Sequence, residues 1–112
     1  MSSGLHTRYI AHRFLREHVR PGAFCIDATA GRGRDTLLLC QLAGESGKVL
    51  AFDIQPEAVE STKALLEQNG FAQRAQVVLD SHSHMDQYAG TETVDCIVFN
   101  FGWLPGGDHR LH

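Results

Sequence analysis

Asp27-Ala28-Thr29-Ala30-Gly31-Arg32-Gly33-Arg34-Asp35-Thr36 is the stretch that decides the fold. Val49-Leu50-Ala51-Phe52-Asp53 answers it about twenty residues later. The first reads as a strand end, a glycine turn and a helix start. The second reads as a strand that ends in a carboxylate. Together they describe a nucleotide-shaped pocket at the carboxyl edge of a parallel sheet. Glycines at 31 and 33 let the chain turn tightly and let backbone amides approach a ligand. The helix that follows points its positive end at that ligand.

Charge selects among nucleotides. A nicotinamide fingerprint requires a third glycine three residues after the second, and position 36 is Thr. An acid, Asp27, precedes the turn instead. It would repel a pyrophosphate and attract a sulfonium and an α-ammonium. S-adenosylmethionine carries both cations and is the expected cofactor. Asp27, Thr29, Gly31, Gly33, Asp35 and Thr36 are the candidates around its amino-acid end. Asp53 can accept bonds from both ribose hydroxyls, or alternatively cap the helix that opens at Pro56. Gln55 would flank the adenine, while Asp80 and Ser81 would touch its amino group, unless Asp80 is simply a turn residue.

Working outward, apolar spacing at Ile10, Phe14, Leu15 and Val19 predicts a helix from Thr7 to Val19, ended by Pro21-Gly22. A buried strand is expected over Phe24–Thr29, a helix over Asp35–Leu42 with Gly44 beyond it, and a strand over Lys48–Ile54. Pro56 opens a helix to Gln68, stopped by Asn69-Gly70. A strand follows over Ala75–Leu79, then a polar loop, a short helix over Met85–Ala89, and a fourth strand over Thr93–Phe101. This alternation predicts an α/β, Rossmann-like fold, a parallel sheet with helices on both faces. Four strands make only the front half of such a domain, so residues 1–112 read as one cofactor-binding domain lacking its last strands, and a homodimer is one way to cover the apolar edge.

The fourth strand runs into Phe99-Asn100-Phe101-Gly102-Trp103-Leu104-Pro105-Gly106-Gly107-Asp108. The carbonyl of Asn100 can accept an N–H from an amine and aim the nitrogen lone pair. Trp103 can stack on a flat ring. Asp108, His109, His82 or water could take the proton. The alternative for Asn100 and Trp103 is a strand-end turn with a packing tryptophan.

Composition is that of an ordinary globular chain, with 43% apolar and 21% charged residues. No apolar run reaches membrane-span length, and no secretory signal is visible, so the expected location is the cytoplasm. Cys25, Cys40 and Cys96 lack metal-ligand spacing and read as buried thiols. His82 and His84 without a third ligand give no metal site. A net charge of −3 excludes a polybasic nucleic-acid binder. An RNA contact would need a local patch, for which Arg13, Arg16, Arg20, Arg32 and Arg34 are candidates, unless they form a solvated face.

These motifs closely resemble a bacterial family of small class I methyltransferases, often labelled rRNA methylases, with members assigned as tRNA 5-aminomethyl-2-thiouridine methyltransferases. The resemblance rests on Asp27–Thr36, Phe52-Asp53-Ile54-Gln55, His82 and the Phe99–Asp108 segment. It implies methyl transfer from S-adenosylmethionine to the amine of a modified wobble uridine in tRNA. It implies that Asp27, Gly31, Gly33, Asp53 and Gln55 hold the cofactor, and that Asn100 and Trp103 face the acceptor. The alternative readings are a truncated, catalytically silent module that holds cofactor or pairs with another chain, and, given the negative net charge, a small-molecule or rRNA methyltransferase. The family usually has Asn and His where this chain has Arg32 and Arg34, and Tyr where it has Trp103.

Overall fold

A computed structural model describes residues 12–99. Residues 12–18 form helix α1. The chain then runs through β1 (Phe24–Asp27), α2 (Arg34–Ala43), β2 (Lys48–Asp53), α3 (Pro56–Gln68), β3 (Ala75–Leu79), a 3₁₀ turn (His82–His84), α4 (Met85–Ala89) and β4 (Cys96–Val98). The sheet order is β3-β2-β1-β4, with every pairing parallel. This is the Rossmann-like arrangement that the strand–helix alternation predicts.

Side chains alternate across the strands and so sort into two cores. Cys25 and Val49 face α1, α2 and α3, where Leu15, Val19, Leu38, Leu39, Cys40 and Leu66 bury them. Phe24, Ile26, Leu50 and Phe52 face the other way and pack with Ala89, Met85 and Val94. Helices therefore lie on both faces, as expected, but the five-residue α4 is the one helix on the second face among the described residues. Ile97 and Phe99 remain 44% and 46% exposed.

The central elements match their expected spans, and the departures have local causes. β1 stops at Asp27 rather than Thr29 because the Asp27 carboxylate accepts the Thr29 amide and bends the chain. β4 is shorter than the apolar run from Thr93 to Phe101. Asp95 meets β1 with both backbone and side chain: its amide donates to the Phe24 carbonyl at 2.8 Å and its Oδ2 accepts the Phe24 amide at 2.9 Å, and regular pairing begins at Cys96. Thr7, expected as the cap of α1, lies outside the described residues. Gly44 ends α2 as expected, with φ of 70° and its amide on the Cys40 carbonyl.

Cys25 and Cys40 are buried, Cys96 is half-buried, and all three are unpaired thiols. Burial pushes Cys25 up to about 12 and Cys40 to about 11, which keeps them protonated and inert. No helix among the described residues is long and apolar enough to cross a membrane.

Candidate cofactor site

The carboxyl ends of β1, β2 and β3 present Asp27, Asp53 and Asp80 in register order along one edge. The turn after β1 is built over this edge. Ala28 donates to the Val98 carbonyl and Ala30 to the Phe52 carbonyl, each at 2.8 Å. The chain then reverses through Gly31 and Gly33, both with positive φ (58° and 92°), into the first turn of α2.

The two glycines do different work. A Cβ on Gly31 would meet nothing within 4 Å, so this residue opens onto free space. A Cβ on Gly33 would lie 2.9 Å from the Thr62 Cα on α3. Gly33 therefore permits close helix packing in addition to the tight turn expected of it. Thr62 is fully buried, and its hydroxyl donates to the Gly31 carbonyl at 3.3 Å. It is a site residue that motif reading misses.

Asp53 clasps the turn. Its Oδ2 accepts the Gly31 amide and its Oδ1 the Gln55 amide, each at 3.0 Å. A carboxylate has about four acceptor positions, so lone pairs remain for hydroxyls of a ligand. Gln55 is the N-cap residue of α3 but makes no side-chain cap bond, which leaves its exposed amide available at the rim.

Asp27 is fully buried beneath the turn. Its Oδ2 accepts the Thr36 hydroxyl at 2.6 Å and its Oδ1 the Thr29 amide at 3.2 Å. Burial pushes its carboxyl up to about 7, against the opposing bond from Thr36. The carboxylate expected to meet a cation directly is thus enclosed and only partly ionised at neutral pH. It ties β1 to α2 from below. Asp35, also buried, is held by the His12 imidazole at 2.5 Å, a contact that joins α1 to the first turn of α2.

Asp80 turns into its own loop. Its Oδ1 accepts Ser81 N (2.7 Å) and faces His84 Nδ1 (2.8 Å), while Tyr88 donates to Oδ2 at 2.9 Å. The bonds from His84, Ser81 and Tyr88 hold its carboxyl below its ordinary value. Its amide bonds the Asp53 carbonyl at 3.0 Å, which joins the second and third strand ends. Ser81 Oγ caps the 3₁₀ turn through the Ser83 amide. His82 stacks edge-on against Phe99, which places it over the end of β4. Among the described residues no cluster of His, Cys, Asp or Glu could hold a metal. Asn100, Trp103 and Asp108 lie outside the described residues.

A cavity of about 620 Å³ lined by Phe14, Ala23 and Asp95 lies at the amino ends of β1 and β4, away from this edge. Its position separates it from the glycine turn.

The comparisons with known proteins agree with this geometry. A family model described as "Putative rRNA methylase" matches residues 49–112. A "putative rRNA-methylase" from Clostridium thermocellum is 38% identical and superposes with a TM-score of 0.79, covering 88% of this chain and 53% of that one. A "putative methyltransferase" from Streptococcus mutans, solved in complex with SAH, is 36% identical with a TM-score of 0.74, over 89% of this chain and 54% of that one. The chloroplastic tRNA (mnm(5)s(2)U34)-methyltransferase of Arabidopsis thaliana is 37% identical over 91% of this chain and 40% of its own length. The chain spans about half the length of the solved relatives, and less of the plant one. By the match over residues 49–112, the chain belongs to the rRNA methylase family.

Proposed function

We propose that this chain is the S-adenosylmethionine-binding part of an RNA N-methyltransferase, acting in the cytoplasm on the 5-aminomethyl group of a modified wobble uridine in tRNA. The observation that carries the reading is the Asp53 clasp on Gly31, at the point where the turn opens onto free space. Support for the donor comes from the SAH complex of the Streptococcus mutans relative. Support for the acceptor comes from the Arabidopsis relative.

In this reading Asp53 takes the ribose hydroxyls on the acceptor positions not used by Gly31 and Gln55. The first-turn amides of α2 would hold the methionine carboxylate. Gln55, Ser81 and His82 border the adenine. Asp27 and Thr36 act from beneath, by fixing the strand-to-helix turn. Bound there, S-adenosylmethionine supplies a methyl group on a sulfonium, ready for in-line transfer. The rest of the task is alignment and exclusion of water. Asn100 accepts an N–H of the acceptor amine and turns its lone pair inward. Trp103 stacks on the base. Asp108 takes the proton that the amine releases.

The test is calorimetric titration of SAH into the 112-residue chain and its Asp53→Ala variant, followed by transfer of labelled methyl groups to tRNA bearing the 5-aminomethyl uridine. Heat with the native chain and its loss in the variant are expected. A folded chain that gives no heat at saturating SAH overturns the donor. The family description favours a second acceptor, rRNA, and methylation of rRNA in preference to that tRNA would select it.

A further inference from the structure

Thr62 is the polar member of the buried face of α3, between Val59 and Leu66. It is fully enclosed, so its hydroxyl needs a partner. A helical threonine commonly returns that hydroxyl to the carbonyl one turn back. Here it crosses to another element, 31 residues away, and donates to the Gly31 carbonyl at 3.3 Å. The approach depends on Gly33, where a Cβ would stand 3.2 Å from the Thr62 Oγ1 and 2.9 Å from its Cα. Gly31 is thereby held on both sides of its own Cα. Its amide donates to Asp53 Oδ2 at 3.0 Å, which fixes the peptide before it and so φ. Its carbonyl accepts from Thr62, which fixes the peptide after it and so ψ. Glycine has the widest backbone freedom of any residue and loses the most entropy on ordering. A Cβ at position 31 would meet nothing within 4 Å, so packing adds no restraint on that side. Two side chains from different elements, Asp53 at the end of β2 and Thr62 in α3, therefore set the turn.

We infer that Thr62 is a positioning residue for the methyl donor: it presets ψ of Gly31, so that the turn is ordered before the ligand arrives. The inference rests on the donor reading given above and adds to it a residue that touches no ligand. Gly31 is exposed, so its carbonyl can turn to water once the hydroxyl is gone. The fold then loses little, while the turn gains a free dihedral. A ligand that requires one turn geometry must restore it on binding, and affinity falls by the entropy of that step. Half the backbone entropy of one residue corresponds to a loss of about three- to fivefold.

The experiment titrates SAH into the 112-residue chain, Thr62→Val and Thr62→Ser by calorimetry, beside thermal melting of each. Thr62→Val keeps the side-chain shape and deletes the hydroxyl. It is expected to melt within about 2 °C of the native chain and to bind SAH about three- to fivefold more weakly. Thr62→Ser keeps the hydroxyl and deletes a buried methyl. It is expected to melt about 4 °C lower and to bind SAH within about twofold of the native chain. Stability and affinity then rank the two variants in opposite orders, which a packing role alone does not produce. A Thr62→Val chain that binds SAH within about twofold of native overturns the inference. Affinity losses that follow the melting temperatures of both variants overturn it too, and leave Thr62 a packing residue. No heat from the folded native chain at saturating SAH removes the donor site and this role of Thr62 together. Heat from the native chain with equal affinities in the two variants removes the role alone.

Discussion

Asp53 and Gly31 meet across the carboxyl edge of the sheet, the Oδ2 of one accepting the amide of the other at 3.0 Å. The same carboxylate holds Gln55 through Oδ1, so one side chain sets both walls of the cofactor mouth. Asp53→Ala removes both ties and the acceptor proposed for ribose. Hydrogen bonds to a charged group contribute about 1.5–3 kcal/mol each. SAH affinity should fall by more than tenfold, read by calorimetry below the variant's own transition, and the melting temperature should fall as well because both backbone ties are lost. A variant that binds SAH as tightly as the native chain would remove Asp53 from the site.

The two glycines of the turn separate packing from access. Gly33→Ala places a Cβ 2.9 Å from the Thr62 Cα at a φ of 92°. Strain and clash together should cost about 2–4 kcal/mol of folding stability. Gly31→Ala adds a methyl to open space at a φ of 58° and should cost only about 1–2 kcal/mol. It should nonetheless weaken SAH binding, because the methyl occupies the ligand's approach. Chemical denaturation and calorimetry on the pair should give opposite rankings. Equal stability losses would show that α3 does not press on Gly33.

Much of this edge was legible in the chain because it is local. The turn from Asp27 to Thr36, the Asp53 strand end and the Pro56 helix start each carry their cause within a few residues. What was not legible depends on partners far along the chain. Thr62 reaches Gly31 from 31 residues away, and His12 reaches Asp35 from 23. No local pattern signals either contact. Asp27 shows the same limit differently: its residue type and position were readable, but its burial under the turn was not, and burial encloses the carboxyl and disfavours its charge. Asp95 likewise meets Phe24, 71 residues away, through its side chain as well as its backbone amide, a contact that no local pattern signals.

His12 should prove necessary to the turn although it lies outside the motif. Its imidazole is the one described side-chain partner of the buried Asp35 carboxylate. His12→Ala leaves that carboxylate buried without its bond, at a cost of about 1–3 kcal/mol. His12→Gln, which keeps a donor on a side chain of similar reach, should recover part of the loss. Denaturation curves of the two variants test this. Indistinguishable curves for native chain and His12→Ala would mean that α1 contributes nothing to the turn.

Asp27 should make stability fall as pH rises. Its carboxyl titrates near 7 in the folded chain against 3.8 ordinarily, because burial disfavours the charge. The folded state therefore binds more protons than the unfolded state between these values, and linkage gives stability a negative slope there. The contribution is fully present below about 4 and lost as pH passes through 7. Asp27→Asn is neutral throughout and can still bond Thr36 and the Thr29 amide. Its stability relative to the native chain should rise steadily from pH 4 to pH 8. At about pH 3, where Asp27 is protonated in the folded and unfolded chains alike, the two should differ by no more than about 1 kcal/mol, the usual size of a rearranged hydrogen bond. Urea denaturation at closely spaced pH values gives the difference directly. A flat difference would mean that Asp27 titrates at its ordinary value, and that the turn is open enough for water to reach it.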